Sequence, residues 1–241
     1  LSTQERHPDG LGNAGGQVGR HLTFHHLWAG RLRYVEPLYP GRLGPYTGQS
    51  HQFRDPPGRG RHGGLKVEFS SHLTLGPPIP FQRLRTGAQI LEALDPIKHW
   101  RVIKLHAESV PDPQKWVALS AQRDRFGDPF AHVHYESADF DHQTYQFARE
   151  VFDRFVASTG AAEAGLDEER FFTSASHHMG TCRMGRGVRD SVVDSHGRVH
   201  GIANLFVLGG STFPGTSAVN PTLTMTALAI RAADRILDQL A

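Results

Sequence analysis

A chain of 241 residues with 26 Lys+Arg against 24 Asp+Glu, 16 histidines and a single cysteine is long enough to bury a sizeable core, as one large domain or two small ones. The balance of charge lacks the basic block that tracks phosphates, so nucleic acid is a poor partner, and Cys182 by itself excludes an internal disulfide framework or a Cys-rich zinc site. No apolar run approaches the roughly 20 residues of a membrane span, so a soluble protein is expected, with cytoplasm and periplasm both open.

Residues 1–20 have the Gly, Asn and Pro density of a winding loop. A chain that opens at Leu1 on such a loop reads as the continuation of a preceding element. Residues 21–28 read as a short extended segment. The stretch 29–64, rich in Gly, Pro and Arg without sustained periodicity, is expected to be a lid or an ordered excursion over a pocket. Over 65–75 the apolar Leu65, Val67 and Phe69 alternate with Lys66, Glu68 and Ser70, the period-2 pattern of a half-buried strand. After Pro77, Pro78 and Pro80, the spacing of Leu84, Ala88 and Leu91 predicts a helix over 81–94.

Residues 101–108 alternate again, a proline turn leads to 116–120, and a Gly-Asp-Pro turn leads to 130–135; three strands at short spacing imply an antiparallel sheet. Asp141 to Ser158 predicts an amphipathic helix with Tyr145, Ala148, Val151, Phe152 and Phe155 on one stripe and Asp141 near its N-terminus. Residues 192–201 read as a hairpin-like pair of short strands and 205–208 as a buried strand ending in Gly209-Gly210. The last element is a helix from Thr222 to Leu240, its spacing set by Leu223, Ala227, Ile230, Asp234 and Leu237, with Asn220 as N-cap and Pro221 at the first helical position.

Two places could carry chemistry. His177 and His178 adjoin a Gly-containing turn, where an imidazole could take a proton near neutral pH or simply be structural. Asn220 and the helix start could cap a structural helix or stabilise negative charge on a ligand with free N–H groups. Gly209-Gly210 would let backbone approach such a ligand closely. His132 and His134 share a strand face but lack a third metal ligand, so no metal site is expected. Cys182 has no evident partner and reads as buried. The Arg54–Arg61 excursion reads as a solvated loop.

The order of four blocks brings a resemblance. They are His177-His178-Met179-Gly180-Thr181-Cys182-Arg183-Met184-Gly185, Val192-Val193-Asp194, Asn204-Leu205-Phe206-Val207, and Asn220-Pro221-Thr222-Leu223-Thr224. Over residues 177–241 the chain resembles the glucose-methanol-choline (GMC) flavoprotein oxidoreductases, and Gly12 to Arg20 looks like the loop after that family's central FAD-domain segment. Gly209-Gly210 is similar to the pyranose 2-oxidase and gluconate 2-dehydrogenase branches.

The resemblance implies FAD-dependent oxidation of a CH–OH group of an alcohol or sugar. It places the base at His177 rather than His178, with the hydride going to flavin N5, and makes Asn220 the residue that positions the substrate oxygen. Gly209, Gly210, Asn220, Pro221 and Thr222 would then meet the flavin, the helix start facing its pyrimidine side.

No Gly-x-Gly-x-x-Gly fingerprint stands after a first strand, nor the acidic residue that should follow it. The implied fold is therefore α+β: an antiparallel substrate-domain sheet with helices, plus the C-terminal strand-loop-helix of a Rossmann-like FAD domain whose N-terminal part lies outside the chain. Three segments are expected: 1–45 as FAD-domain loop and entry, 46–170 as substrate domain, and 171–241 as catalytic His segment and terminal strand and helix. A complementary N-terminal chain carrying the fingerprint, and an electron-acceptor partner, go with this reading. The alternatives are a non-catalytic binding or assembly module derived from such an enzyme and a His-based metal hydrolase.

Overall fold

The computed structural model describes residues 6–38, 46–70, 86–169, 171 and 177–240. In chain order the elements are β1 (His26–Arg33), β2 (Tyr46–Ser50), β3 (Leu65–Ser70), α1 (Gly87–Leu94), β4 (Trp100–Ala107), β5 (Trp116–Arg123), β6 (Pro129–His134), α2 (Asp139–Thr159), β7 (Glu163–Leu166) and α3 (Thr222–Leu240). They form two compact units rather than three consecutive segments. One unit comprises His26–Ala107 and Asp139–Thr173; the other comprises Leu1–His25, Glu108–Ala138 and Ser174–Ala241. The chain passes between them several times, which a division at 45 and 170 does not capture.

The unit of β1 to β4 is a five-stranded antiparallel sheet in the order β2-β3-β4-β1-β7. The expectation of a lid or an ordered excursion over 29–64 is thus corrected for residues 29–33, which belong to an interior strand between β4 and β7. Its alternation is broken at Gly30, and the gap has a steric cause. A Cβ there would stand 2.3 Å from the Phe152 ring, so the missing side chain is what lets α2 lie on the sheet. Trp28, Leu32, Leu65, Val67, Ile103 and Leu105 of that sheet face pack on Tyr145, Ala148, Val151 and Phe152 of α2, the helix stripe expected from sequence.

Period 2 sends Lys66, Glu68 and His106 to the other face, where Glu68 joins both neighbours: Lys66 Nζ donates to Oε1 at 2.5 Å and His106 Nε2 lies 3.0 Å from Oε2. Asp141, in the first turn of α2, meets His26 Nε2 at 2.9 Å, and both side chains are fully buried. Strand β3 covers the start of the expected 65–75 strand; the remainder lies outside the described residues, as do residues 81–85 of the expected 81–94 helix. Helix α1 begins at Gly87 behind a Thr86–Gln89 capping box.

In the other unit β5 pairs with β6 alone. Residues 101–108, expected beside them, instead pair with β1 and β3 as β4; sequential closeness did not decide pairing. The 192–201 hairpin is a tight turn held by Asp194, whose carboxylate accepts from the N–H groups of His196 and Arg198. Burial alone would raise that carboxyl, but these two donors hold it below its ordinary range. Around it Val192, Val193 and Val199 form a small core. Residues 205–208, expected as a strand, make one bridge, Arg198 to Phe206. Helix α3 has the expected span with an unexpected orientation: Leu223, Ile230 and Leu237 are 83%, 59% and 65% exposed, and its buried residue is Ala232.

Candidate active site

The expected catalytic segment is positioned by backbone pairing. Thr23 and Met179 exchange both backbone hydrogen bonds, at 3.0 and 2.7 Å. In that antiparallel register Phe24 falls opposite His178 and His25 opposite His177. The ring contacts follow: Phe24 and His178 meet edge-on at 5.9 Å between centroids, and His25 and His177 at 4.8 Å. The same register brings the two ring nitrogens Nδ1 of His25 and His177 to 3.1 Å.

His177 is half-buried and His178 exposed. His177 also has φ +60°, and the other non-glycine residue with positive φ among the described residues is His21, at +62°. Each stands two positions before a member of the Thr23–Met179 pair. Left-handed backbone at a bulky residue costs of order 1–3 kcal/mol and is kept where surrounding structure enforces it. Part of that enforcement is Gly180, at φ +96°, where a Cβ would lie 2.0 Å from the His21 carbonyl oxygen.

Ser109 clamps the partner strand. Its hydroxyl donates to the Phe24 carbonyl at 2.7 Å, the Phe24 N–H donates back to Oγ at 3.2 Å, and Thr23 Oγ1 joins the same hydroxyl. Thr216 completes the clamp, accepting the Ser109 N–H at 3.1 Å and donating to its carbonyl at 3.0 Å. With Ser109, Thr23 and Phe24 all buried, these bonds are made away from competing water.

The two glycines after residue 208 do different things. At Gly210 a Cβ would stand 2.5 Å from the His178 carbonyl oxygen and 3.5 Å from Met225 Sδ, so its missing side chain serves contact with protein. Gly210 thus stands close to both the His178 carbonyl and the Met225 side chain in the first turn of α3. Gly209 has φ +99° with nothing within 4 Å of a built Cβ, so the space beside its Cα is open, while its carbonyl accepts from the Thr212 N–H and Oγ1. Beyond it the Cys182 N–H donates to Ser211 O at 2.8 Å and the Met184 N–H to Thr212 O at 2.7 Å.

Helix α3 starts at Thr222 as expected, but its capping place falls one residue later than expected. Pro221 accepts from the Met225 N–H at 2.9 Å and so holds the capping place, with the exposed Asn220 just before it. Thr222, Leu223 and Thr224 are exposed, and the N–H groups of a first helical turn have no intrahelical acceptor.

His25 and His21 were missed in sequence because the segment 21–28 was read as strand alone; the register of 23 against 179 is the signal that would have found His25. Burial, then Arg183 and Arg20, lower the pKa of His21, whose Nε2 lies 3.1 Å from Gln17 Oε1. Burial raises the Cys182 thiol, which makes it a poor nucleophile. His132 and His134 both lie against Trp116, at 5.3 and 5.0 Å. No group of three or more His, Cys, Asp or Glu placed to hold a metal ion occurs among the described residues.

The literal Gly-x-Gly-x-x-Gly spacing does occur, at Gly10–Gly15 and at Gly58–Gly63, and this refines the sequence reading. The first string lies in turns, and the second leads into strand β3 rather than a helix. Neither has the strand-turn-helix context that aims N–H groups at a pyrophosphate. Among the described residues no helix is long and apolar enough to cross a membrane.

Residues 111–229 match the family model described as GMC oxidoreductase. Across its whole length the chain is 29% identical to the fructose dehydrogenase large subunit of Gluconobacter japonicus, covering 44% of that protein. It is 29% identical over 98% of its length to 2-methyl-1,2-propanediol dehydrogenase of Mycolicibacterium austroafricanum, again covering 44% of the relative. Among solved structures, the formate oxidase of Aspergillus oryzae RIB40 aligns with 93% of the chain at TM-score 0.62 and 14% identity, and pyridoxine 4-oxidase from Mesorbium loti with 91% at TM-score 0.56 and 18% identity. The chain covers 48% and 43% of those two structures, and so spans less than half the length of the relatives it matches. With all four expected blocks lying inside the matched region, residues 111–229 carry the C-terminal domain of the GMC oxidoreductase family.

Proposed function

We propose that this chain supplies the catalytic base and the substrate domain of an FAD-dependent oxidoreductase acting on a CH–OH group of an alcohol or sugar. The observation that carries the reading is the placement of His177: left-handed, half-buried, and next to His178, whose carbonyl lies against Gly210 close to the first turn of α3. The names of the relatives, a fructose dehydrogenase subunit and a propanediol dehydrogenase, support a hydroxylated substrate.

The open space beside the Cα of Gly209 and the exposed start of α3 fit the pyrimidine end of a flavin. When bound, FAD supplies the acceptor for the hydride leaving the substrate carbon. His177 takes the hydroxyl proton in the same oxidation, and Asn220 orients the substrate oxygen. The orphan N–H groups at Thr222 and Leu223 favour negative charge near the helix start.

The pyrophosphate end finds no cradle in these residues, so a complementary segment or chain holds it. The exposed apolar stripe of Leu223, Ile230 and Leu237 supports such a covering partner. A gel and mass spectrum of the purified protein test this; a lone 26.7 kDa species with stoichiometric FAD overturns it. For the base, His177→Ala in the complete enzyme is expected to slow reduction of the flavin by substrate by about 10²–10⁴-fold. A rate within a few-fold of the parent overturns the assignment of the base, whereas lack of flavin in the presence of any partner favours a non-catalytic module.

A further inference from the structure

We propose that His25 is a positioning residue for His177: its Nδ1 accepts the Nδ1–H of His177 and so holds His177 in the tautomer whose Nε2 carries a lone pair. This rests on the reading of His177 as the base.

The geometry begins with the 3.1 Å separation of the two Nδ1 atoms. At that distance one ring donates and the other accepts. A neutral imidazole carries one N–H, so the direction of this bond decides the state of the far nitrogen of each ring. If His177 donates, its Nε2 is an acceptor and can take a proton. If His25 donates, His177 carries its proton on Nε2 and has no basic nitrogen to offer.

His25 is built to hold one place. It is 1% exposed, and its strand is fixed on one side by the Thr23–Met179 pair. The Ser109 hydroxyl binds both backbone groups of the preceding residue, Phe24. The His177 ring meets it edge-on, at an interplanar angle of 64°. The partner ring is thus rigid, whereas His177 is half-exposed; the fixed member of such a pair sets the orientation of the other.

The same bond serves the proton transfer. When His177 takes a proton at Nε2 it carries N–H on both nitrogens and a positive charge, and its bond to the His25 Nδ1 lone pair becomes charge-assisted and stronger. His25 gains no proton in this step. Its contribution is therefore larger in the protonated state than in the resting one, as required of a group that assists a base.

The test uses the full-length protein with its cofactor, labelled with ¹⁵N at histidine, and two-bond ¹⁵N–¹H correlation spectra, which separate a protonated ring nitrogen from an unprotonated one. The His177 signals are identified by their loss in His177→Ala. The expected parent spectrum has His177 protonated at Nδ1 and unprotonated at Nε2. His25→Phe is expected to lose that pattern, and His25→Asn, whose Oδ1 can stand near the place of Nδ1 and accept the same bond, to restore it.

A parent spectrum with His177 protonated at Nε2 overturns the proposal without any variant. So does an unchanged pattern in His25→Phe. If the pattern behaves as expected while His177→Ala still reduces its flavin at the parent rate, the bond direction stands and the base reading falls.

Discussion

A Cβ on Gly210 would stand 2.5 Å from the carbonyl oxygen of His178, so the glycine sets how closely the loop before α3 approaches the histidine segment. Gly210→Ala must push the two apart by several tenths of an ångström or more. Because the obstacle is backbone, relief comes at the expense of the Thr23–Met179 pairing or of the Cys182 and Met184 bonds to residues 211 and 212. The expected outcome is a loss of about 1–3 kcal/mol in stability, read by urea unfolding. Flavin reduction by substrate in the complete enzyme is expected to fall as well. Gly209→Ala separates the two glycines: it meets no atom within 4 Å but is strained at φ +99°, so its cost is conformational.

Gly30 makes a parallel case in the sheet. With the Phe152 ring 2.3 Å and the Ile103 side chain 3.0 Å from a built Cβ, Gly30→Ala is expected to destabilise by about 1–3 kcal/mol through overpacking. Here the obstacle is a side chain, so Phe152→Leu combined with Gly30→Ala should cost less than the two single changes added together. A double-mutant cycle in urea reads that coupling directly.

These glycines show where the sequence was legible. Helix α2 and strands β3 and β4 were read because each carries its own periodic pattern, set by one face meeting a core, whereas β5 and β6, which bury no residue, were read from the turns that bound them. Strand β1 was hidden because its inward position 30 is occupied by a partner's ring rather than by its own side chain. In α3 the apolar stripe of Leu223, Ile230 and Leu237 gave the helix but not its buried side, since periodicity shows that a face is apolar and not which surface covers it. At the site, motif order marked His177 and Asn220, while His25 stood out only once Thr23 was set opposite Met179, a pairing of segments more than 150 positions apart.

The buried pair of Asp141 and His26, 2.9 Å apart, joins the first turn of α2 to the strand it covers. His26 Nδ1 also lies 3.2 Å from the Phe171 carbonyl oxygen, so both ring nitrogens are held toward acceptors. Asp141→Ala removes the charged member and a favourable carboxylate at a helix N-terminus. The expected cost is about 3–5 kcal/mol, the range for breaking a buried pair from one side. Asp141→Asn keeps an acceptor for the same nitrogen and should cost less. Thermal unfolding of the two variants checks the order; equal losses would mean that the bond to His26 contributes nothing.

Glu68 gives the protein an acid limit with a calculable window. Burial by itself would raise its carboxyl, but the hydrogen bonds from His106 and Lys66 prevail and lower it from 4.5 to about 2. Between those two values the folded state holds Glu68 ionised while the unfolded chain takes up a proton, so falling pH favours unfolding. The stabilisation is therefore complete above pH 4.5 and is lost progressively down to about pH 2. A shift of that size corresponds to roughly 3 kcal/mol. Urea unfolding at stepped pH should show this loss in the parent, and Glu68→Gln should lose the part of the slope that this carboxyl contributes. At neutral pH Glu68→Gln is expected to be less stable than the parent by about 3–5 kcal/mol, because Lys66, fully buried, loses the carboxylate it is paired with. Replacing both members, Lys66→Met with Glu68→Leu, removes the charge and the need for it together, and should recover much of that loss. A double variant no better than Glu68→Gln would mean that His106 and the surrounding sheet face, rather than the Lys66 charge, set the cost.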